Sequence, residues 1–457
     1  MISQETIIAL ATPNGLGAIS VIRISGSNAI SITEKVFKPK GNKKLSNQKS
    51  HTVHLGNLIK NEHELDEVLV TLFKEPNSYT GEDTIEISCH GSTFIQQEII
   101  DLFIDNGIRV ANPGEFTLRA FINGKMDLNQ AEAVADLIAS ENEGSHKLAM
   151  QQMKSGFSED LKKLRAELLY FSSMIELELD FSQEDVEFAE RNEFKKLTNK
   201  IILELGNLID SFKSGNVLKN GVSVAIAGKP NAGKSSLLNK LLNEEKAIVS
   251  DIPGTTRDSI EDSLTIEGIK FRFTDTAGLR KTKDIIESKG IEKTKEKINK
   301  ARILLYLFDS NDTNLEEINN DLNTFKREDL HIILVRNKID LENNNPKLIS
   351  ELKNFDLIQI SINDSNSISK LKTKLISEVN ILNPYTDTIV SNSRHYEALI
   401  NALAAIKDVN NGIESNISGD LLSVDIRKSI QHLAEITGEI TNDDVLGNIF
   451  ANFCIGK

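Results

Sequence analysis

The chain has 457 residues, 39% hydrophobic and 26% charged, a balance that excludes wholesale disorder and implies two to four domains rather than one core. Its 53 Lys and Arg against 67 Asp and Glu give a net charge of −14, which excludes a generic basic nucleic-acid coat protein. No apolar run approaches the ~18 residues of a membrane span. The first positive side chain is Arg23, so no secretory leader is expected, and the two cysteines, Cys89 and Cys454, fit a reducing cytoplasm rather than a disulfide framework.

Residues 1 to about 120 read as strands joined by Gly and Pro turns. Ile19 to Ile24, Val68 to Phe73 and Thr84 to Ser88 are the short apolar segments. Lys35, Lys38, Lys40, Lys43, Lys44 and Lys49 form a basic stretch broken by Pro39 and Gly41, which reads as a solvated loop. From about 125 to 213 apolar residues recur at spacings of three and four: Leu161, Leu164, Leu168, Phe171 and Ile175, then Phe194, Leu197, Ile201, Leu205, Leu208 and Phe212. These are the stripes of amphipathic helices. From about 216 to 382 the rhythm becomes apolar strand, loop, helix. Helix then returns with Leu399, Leu403, Ile406 and Ile413. The tail helices have no core of their own and are expected to pack on the helices before residue 213, which makes the middle module an insertion.

That module carries three motifs in order. Gly228-Lys-Pro-Asn231-Ala232-Gly233-Lys234-Ser235 is a P-loop, with the strand Val222 to Ala227 ahead of it and a helix from Ser236 behind it. Backbone N–H groups and the helix N-terminus then converge on phosphate oxygens. Lys234 is expected to neutralise the β- and γ-phosphates and Ser235 to bind Mg²⁺. Asp275-Thr276-Ala277-Gly278 follows the strand Phe271 to Thr274 and places an acid near the metal and an N–H near the γ-phosphate. Asn337-Lys338-Ile339-Asp340 follows the strand Ile332 to Val335. An ionised carboxylate only accepts hydrogen bonds, and guanine presents two adjacent donors to it, so the expected ligand is GTP rather than ATP. Leu279 stands where Ras-like GTPases carry the glutamine that orients the attacking water. Asp284, Glu287 and Glu292 are the nearby candidates, and pattern alone does not choose among them.

The chain resembles the MnmE (TrmE) family of tRNA modification GTPases along essentially its full length. The stretches that carry the resemblance include Leu10-Ala-Thr-Pro13, Val21-Ile-Arg-Ile-Ser-Gly26, Ser78-Tyr-Thr-Gly-Glu-Asp83, Asn112-Pro-Gly-Glu-Phe-Thr117, Asn123-Gly-Lys-Met-Asp-Leu128 and Gln130-Ala-Glu-Ala-Val-Ala-Asp-Leu137. Near the other end are Gly438-Glu-Ile-Thr-Asn-Asp-Asp-Val-Leu-Gly-Asn-Ile-Phe450 and Cys454-Ile-Gly-Lys457. The resemblance implies a multidomain α/β plus all-α protein: an α+β folate-binding and dimerisation domain over 1–120, a helical domain split between 121–215 and 383–457, and an inserted Ras-like P-loop GTPase domain over 216–382.

It also implies a homodimer acting with the FAD-containing MnmG. Together they would add an aminomethyl or carboxymethylaminomethyl group to C5 of the tRNA wobble uridine, using a 5-formyl or methylene tetrahydrofolate. By the same resemblance, K⁺ is held by Asn231, Ser250, Ile252 and Thr255, and Thr256 joins Ser235 on Mg²⁺. Glu287 orients water. Arg257 and Asp258 steady the closed switch, and Ser236, Asp251, Pro253 and Gly254 complete the nucleotide pocket. Ser361, Ile362 and Asn363 form the guanine-side loop, where the family usually has Ser-Ala. Arg23, Glu82, Lys125 and Lys457 would form the folate site. Cys454 reads as packing near that site rather than as a lipidation point. A regulatory or ribosome-assembly GTPase switch is the alternative, and it leaves residues 1–120 unexplained.

Overall fold

The structure is a computed structural model. It describes the whole chain except residues 1–4, 42, 155, 181–190, 244–261, 276–297, 300, 328–329, 342–345, 353–354, 382–388, 416, 442, 452, 454–455 and 457. It divides into two compact units: residues 1–138, 151–195 and 408–457, and residues 139–150 and 196–407.

The first unit contains a seven-stranded sheet. Its strands are β1 (Ile7–Leu10), β2 (Ile19–Ser25), β3 (Phe37–Pro39), β4 (Thr52–Lys60), β5 (His63–Phe73), β6 (Thr84–His90) and β7 (Arg109–Val110), in the order β3-β4-β5-β6-β2-β1-β7. All neighbours run antiparallel except β1 and β7. Asn61 and Glu62 both have positive φ, 49° and 66°, the backbone that a two-residue turn between twisted strands demands. Ile22, Ile24, Val70, Leu72, Ile85 and Ile87 are fully buried on one face, packed with Ile30 and Ile32 of the helix Ala29–Val36 and Ile99 and Phe103 of the helix Thr93–Asp105. The strand period of two leaves Arg23 and Glu86 on the opposite face.

The lysines of the basic stretch are all exposed, and Lys40, Lys43, Lys44 and Lys49 lie outside helix and strand as expected of a solvated loop, but the first two do not. Lys35 lies in the last turn of the helix Ala29–Val36, and Lys38 lies within β3. Gly and Pro signals conceal this, because β3 is a three-residue edge strand carrying Pro39, a position where proline is tolerated.

The stripe from Leu161 to Ile175 falls on the helix Gly156–Asp180, along which the helix Gly419–Thr437 packs. Tail and earlier helices therefore share a core, as the missing apolar partner required. Gly438 ends the later helix at φ +82°, where a Cβ would sit 2.7 Å from Leu128 Cβ. Beyond it, Phe450 and Phe453 pack with Leu128 and Ala131. Gly456 sits against β1 at φ +97°, and a Cβ there would lie 2.2 Å from the Leu10 carbonyl oxygen.

The second unit contains a six-stranded sheet: β8 (Val222–Gly228), β9 (Asp262–Ile266), β10 (Ile269–Asp275), β11 (Ile303–Asp309), β12 (His331–Asn337) and β13 (Leu357–Gln359), in the order β13-β12-β11-β8-β10-β9. Every pair is parallel except β9 with β10. All of β11 is buried, as a central parallel strand covered on both faces must be. Ile303, Leu305 and Leu307 enter one core, and Leu304, Tyr306 and Phe308 the other. Among the described residues no helix is long and apolar enough to cross a membrane.

Candidate functional site

The four parallel strands β8, β10, β11 and β12 end at Gly228, Asp275, Asp309 and Asn337. All three GTPase motifs thus arrive at the carboxyl edge of one sheet. Strand β8 sits between β11 and β10, so the connections diverge there. That divergence opens the crevice in which doubly wound sheets bind ligands.

The P-loop turns out of β8 and into the helix Lys234–Asn243. Gly228 has φ +136° and lies so near β11 that a Cβ would sit 1.9 Å from the Leu307 carbonyl oxygen. Asn231 is left-handed at φ +63°, and its side chain is exposed. Ser235 and Ser236 are exposed in the first turn of the helix, where unpaired backbone N–H groups and the helix dipole favour an anion. Lys234 Nζ donates to the carbonyls of Gly228 at 2.7 Å and Lys229 at 2.6 Å, which holds the ammonium over the loop.

The NKxD segment is tied directly to this loop. Asn337, 2% exposed, donates from Nδ2 to the Ala232 carbonyl at 2.8 Å. Its Oδ1 is buried with no hydrogen-bond partner among the described residues, an acceptor left for a ligand. Lys338 adopts φ +63° and pairs with Asp309 Oδ2 at 3.1 Å. Asp340 is exposed. Hydrogen bonds, first from the Ser361 side chain and then from its own backbone and Asn363, hold its carboxyl below the usual range against the effect of desolvation. It therefore stays in the acceptor-only form that guanine's paired donors need. Ser361 is buried and accepts from the Asn363 N–H at 3.3 Å. Ile362 packs against the core beside Gly233.

The remaining predicted nucleotide and cation residues lie outside the described residues: Ser250, Asp251, Ile252, Pro253, Gly254, Thr255, Thr256, Arg257, Asp258, Thr276, Ala277, Gly278 and Glu287. Among the described residues no group of three or more His, Cys, Asp or Glu is placed to hold a metal.

In the first unit, Arg23, Glu82 and Lys125 all meet the segment from Pro76 to Glu82. Arg23 lies over the Tyr79 ring at 5.0 Å, and Lys125 Nζ donates to the Pro76 carbonyl at 2.9 Å. Arg23 faces Glu86 across the β2–β6 register and donates to it from Nε at 2.9 Å. Its Nη1 is buried with no partner among the described residues. Lys457 and Cys454 lie outside the described residues. Cys89 is a buried core thiol, pushed up to about 11, first by burial and then by Asp66.

Sequence reasoning assigned no role to Arg119, although it lies in this region. It is 3% exposed and donates to Glu82 at 3.1 Å, to Glu115 at 3.2 Å and to the Glu5 carbonyl at 2.8 Å. Arg109 donates to Glu115 as well, at 2.6 Å. Burial alone raises the Glu115 pKa, but the bonds from Arg109 and the Asn112 N–H and the charge of Arg119 outweigh it and hold it below the ordinary value. Its partners lie 4, 37 and 114 residues away, and residue type alone names none of them.

The family model "MnmE helical domain" matches residues 128–454, and "GTP-binding protein TrmE N-terminus" matches 6–125. The tRNA modification GTPase MnmE of Flavobacterium johnsoniae is 56% identical over 100% of both chains. Those of Christiangramia forsetii and Bacteroides thetaiotaomicron are each 53% identical, over 99% and 100% of both chains. Among solved structures, Aquifex aeolicus Era matches 40% of this chain and 66% of its own at 25% identity, with a TM-score of 0.26. The sheet edge that gathers the P-loop and NKxD segments, the two family models and the full-length relatives agree: the chain belongs to the MnmE family of tRNA modification GTPases.

Proposed function

We propose that the protein is a K⁺-dependent GTPase that works as a homodimer with an FAD-containing MnmG partner in the cytoplasm. With tetrahydrofolate as one-carbon donor, the pair adds an aminomethyl or carboxymethylaminomethyl group to C5 of the wobble uridine of certain tRNAs. The observation that carries this reading is the convergence of P-loop and NKxD segments at one sheet edge in a chain of this family. The division into 1–120, 121–215, 216–382 and 383–457 belongs to the same reading, with folate, helical and GTPase roles in turn.

The residues present fit the implied cations. Ser235 offers an exposed hydroxyl at a helix start, which suits Mg²⁺ beside phosphate, and the left-handed Asn231 exposes a carboxamide oxygen of the kind K⁺ accepts. When bound, these cations supply positive charge to the phosphates during transfer. The chain's own contribution is positional. Lys234 is held over the loop, Asp340 selects guanine, and Glu287 orients the attacking water, a task Leu279 cannot perform. Arg257 and Asp258 steady the closed switch. Ser250, Ile252 and Thr255 complete the K⁺ shell, and Thr256 that of Mg²⁺.

For folate, the buried Nη1 of Arg23 is a donor still to be matched, which suits an anionic or carbonyl acceptor. Glu82 and Lys125 frame the same segment, and Lys457 completes the set in this reading.

The deciding experiment is nucleoside mass spectrometry of bulk tRNA from cells with and without the gene. Loss of 5-aminomethyl-type wobble uridines on deletion is expected, restored by wild type but not by Glu287→Ala. An unchanged profile, with no redundant enzyme, would leave a regulatory GTPase.

A further inference from the structure

A surface of opposite sign lies on this acidic chain. Lys35, Lys38, Lys43 and Lys44 line an open groove of about 480 Å³ in the first unit. All four are exposed, and none forms an ion pair among the described residues. One carboxylate, Glu34, also lines the groove. Glu34 accepts from the Ser46 N–H at 2.7 Å and its hydroxyl at 2.8 Å, and Glu67 pairs with Lys40.

Two of the four lysines are carried on regular backbone, and the other two lead into a short turn. Lys35 is in the last turn of a helix, Lys38 pairs with Asn57 in the β3–β4 ladder, and Lys43 and Lys44 precede a 3₁₀ turn anchored by the buried Leu45. Phe37, 5% exposed, pins β3 from beneath, and Gly56 lies so near it that a Cβ would sit 2.7 Å from its ring. The local field also reaches a neighbour: burial first, and then Lys43, push the His54 imidazole below its ordinary value.

We propose that this groove binds the phosphodiester backbone of RNA. The inference rests on the tRNA-modification reading above and adds a contact surface to it. Four compact, hydrated ammonium groups spread over a helix, a strand and a turn suit a succession of phosphates rather than one small anion. The groove offers no exposed aromatic ring for base stacking, so it positions RNA without reading sequence. A chain with a net charge of −14 repels RNA at long range, and binding then needs such a local patch.

The test is fluorescence anisotropy of labelled tRNA titrated with the full chain between 50 and 300 mM KCl. Wild type is compared with the combined Lys35→Ala, Lys38→Ala, Lys43→Ala and Lys44→Ala variant and with a matching all-Arg variant. The Ala variant should bind at least about tenfold more weakly at low salt, with the slope of log affinity against log salt shallower by about 3, near 0.7–0.9 per phosphate lost. The all-Arg variant should bind like wild type, and all three should hydrolyse GTP at the same rate. Wild-type affinity and slope in the Ala variant would overturn the inference, as would a wild-type chain with no salt-dependent tRNA binding. The nucleoside profile of the deletion strain judges the modification reading separately. If that profile changes while the Ala variant binds normally, only the groove assignment falls.

Discussion

The Asn337 carboxamide occupies the space a side chain at residue 233 would need: a Cβ on Gly233 would lie 2.4 Å from Asn337 Nδ2. The guanine-recognition segment and the phosphate loop therefore set each other's position. Gly233 is also at φ +98°, a backbone that L side chains resist.

Gly233→Ala should thus disturb both halves of the nucleotide site. Strain of about 1–3 kcal/mol, together with displacement of Asn337, should weaken GTP binding by roughly 10- to 100-fold. Titration with a fluorescent GTP analogue measures this. Unchanged affinity would show that the Asn337–Ala232 bond is dispensable for holding the loop.

Asp340→Asn should reverse the base preference. The carboxamide loses one of two acceptor positions and gains a donor, so GTP affinity should fall on the order of 100-fold or more, while a purine with a carbonyl at C2, as in xanthosine triphosphate, should gain. Competition binding with both nucleotides decides it. In the wild type the depressed Asp340 pKa keeps the acceptor form as pH falls through the ordinary carboxylate value of about 3.9. Guanine selectivity should therefore persist at pH 5 and be lost only below that value.

Arg119→Ala should destabilise the first unit by about 3–5 kcal/mol, because it leaves Glu115 buried with only part of its compensation. Arg119→Lys should recover little, since one ammonium cannot reach Glu82, Glu115 and the Glu5 carbonyl together. Thermal unfolding followed by circular dichroism measures both. Glu115 has a folded pKa below its unfolded one, so its contribution is present above the unfolded value and is lost as pH falls through the folded value. The gap between wild type and Arg119→Ala should accordingly narrow on acidification below about pH 4. A gap that widened there would contradict the pairing.

Gly456→Ala should detach the tail from β1, since the added carbon meets the Leu10 carbonyl oxygen and φ is +97°. Hydrogen exchange at the Leu10 and Ala11 amides should accelerate in the variant, with GTP hydrolysis unchanged. Equal protection in both proteins would show the tail held by Phe450 and Phe453 alone.

The GTPase site was legible in the sequence wherever its chemistry is local. The P-loop, with Lys234 and Ser235, and the NKxD segment, with Asp340, are short motifs whose strand, turn and helix context can be read from neighbouring residues. The Asn337–Ala232 bond, over 105 residues, was not legible, because it depends on β11 lying between β12 and β8. The same holds for Arg23. Its residue type was readable, but its partner Glu86 is fixed by the β2–β6 register, 63 residues away. The basic stretch was legible in part: Lys40, Lys43, Lys44 and Lys49 lie in the solvated loop that Pro39 and Gly41 signal, whereas Lys35 and Lys38 are carried on a helix and on β3, which the buried Phe37 holds in place.

The meeting of Gly456 with Leu10 also sets an order of events during synthesis. Strand β1 leaves the ribosome well before its tail contact, which lies 446 residues further along the chain. The carbonyl edge of Leu10 must wait through translation of both compact units before Gly456 can cover it. A chain cut before residue 456 would keep the nucleotide-binding sheet but leave the Leu10 carbonyl edge bare.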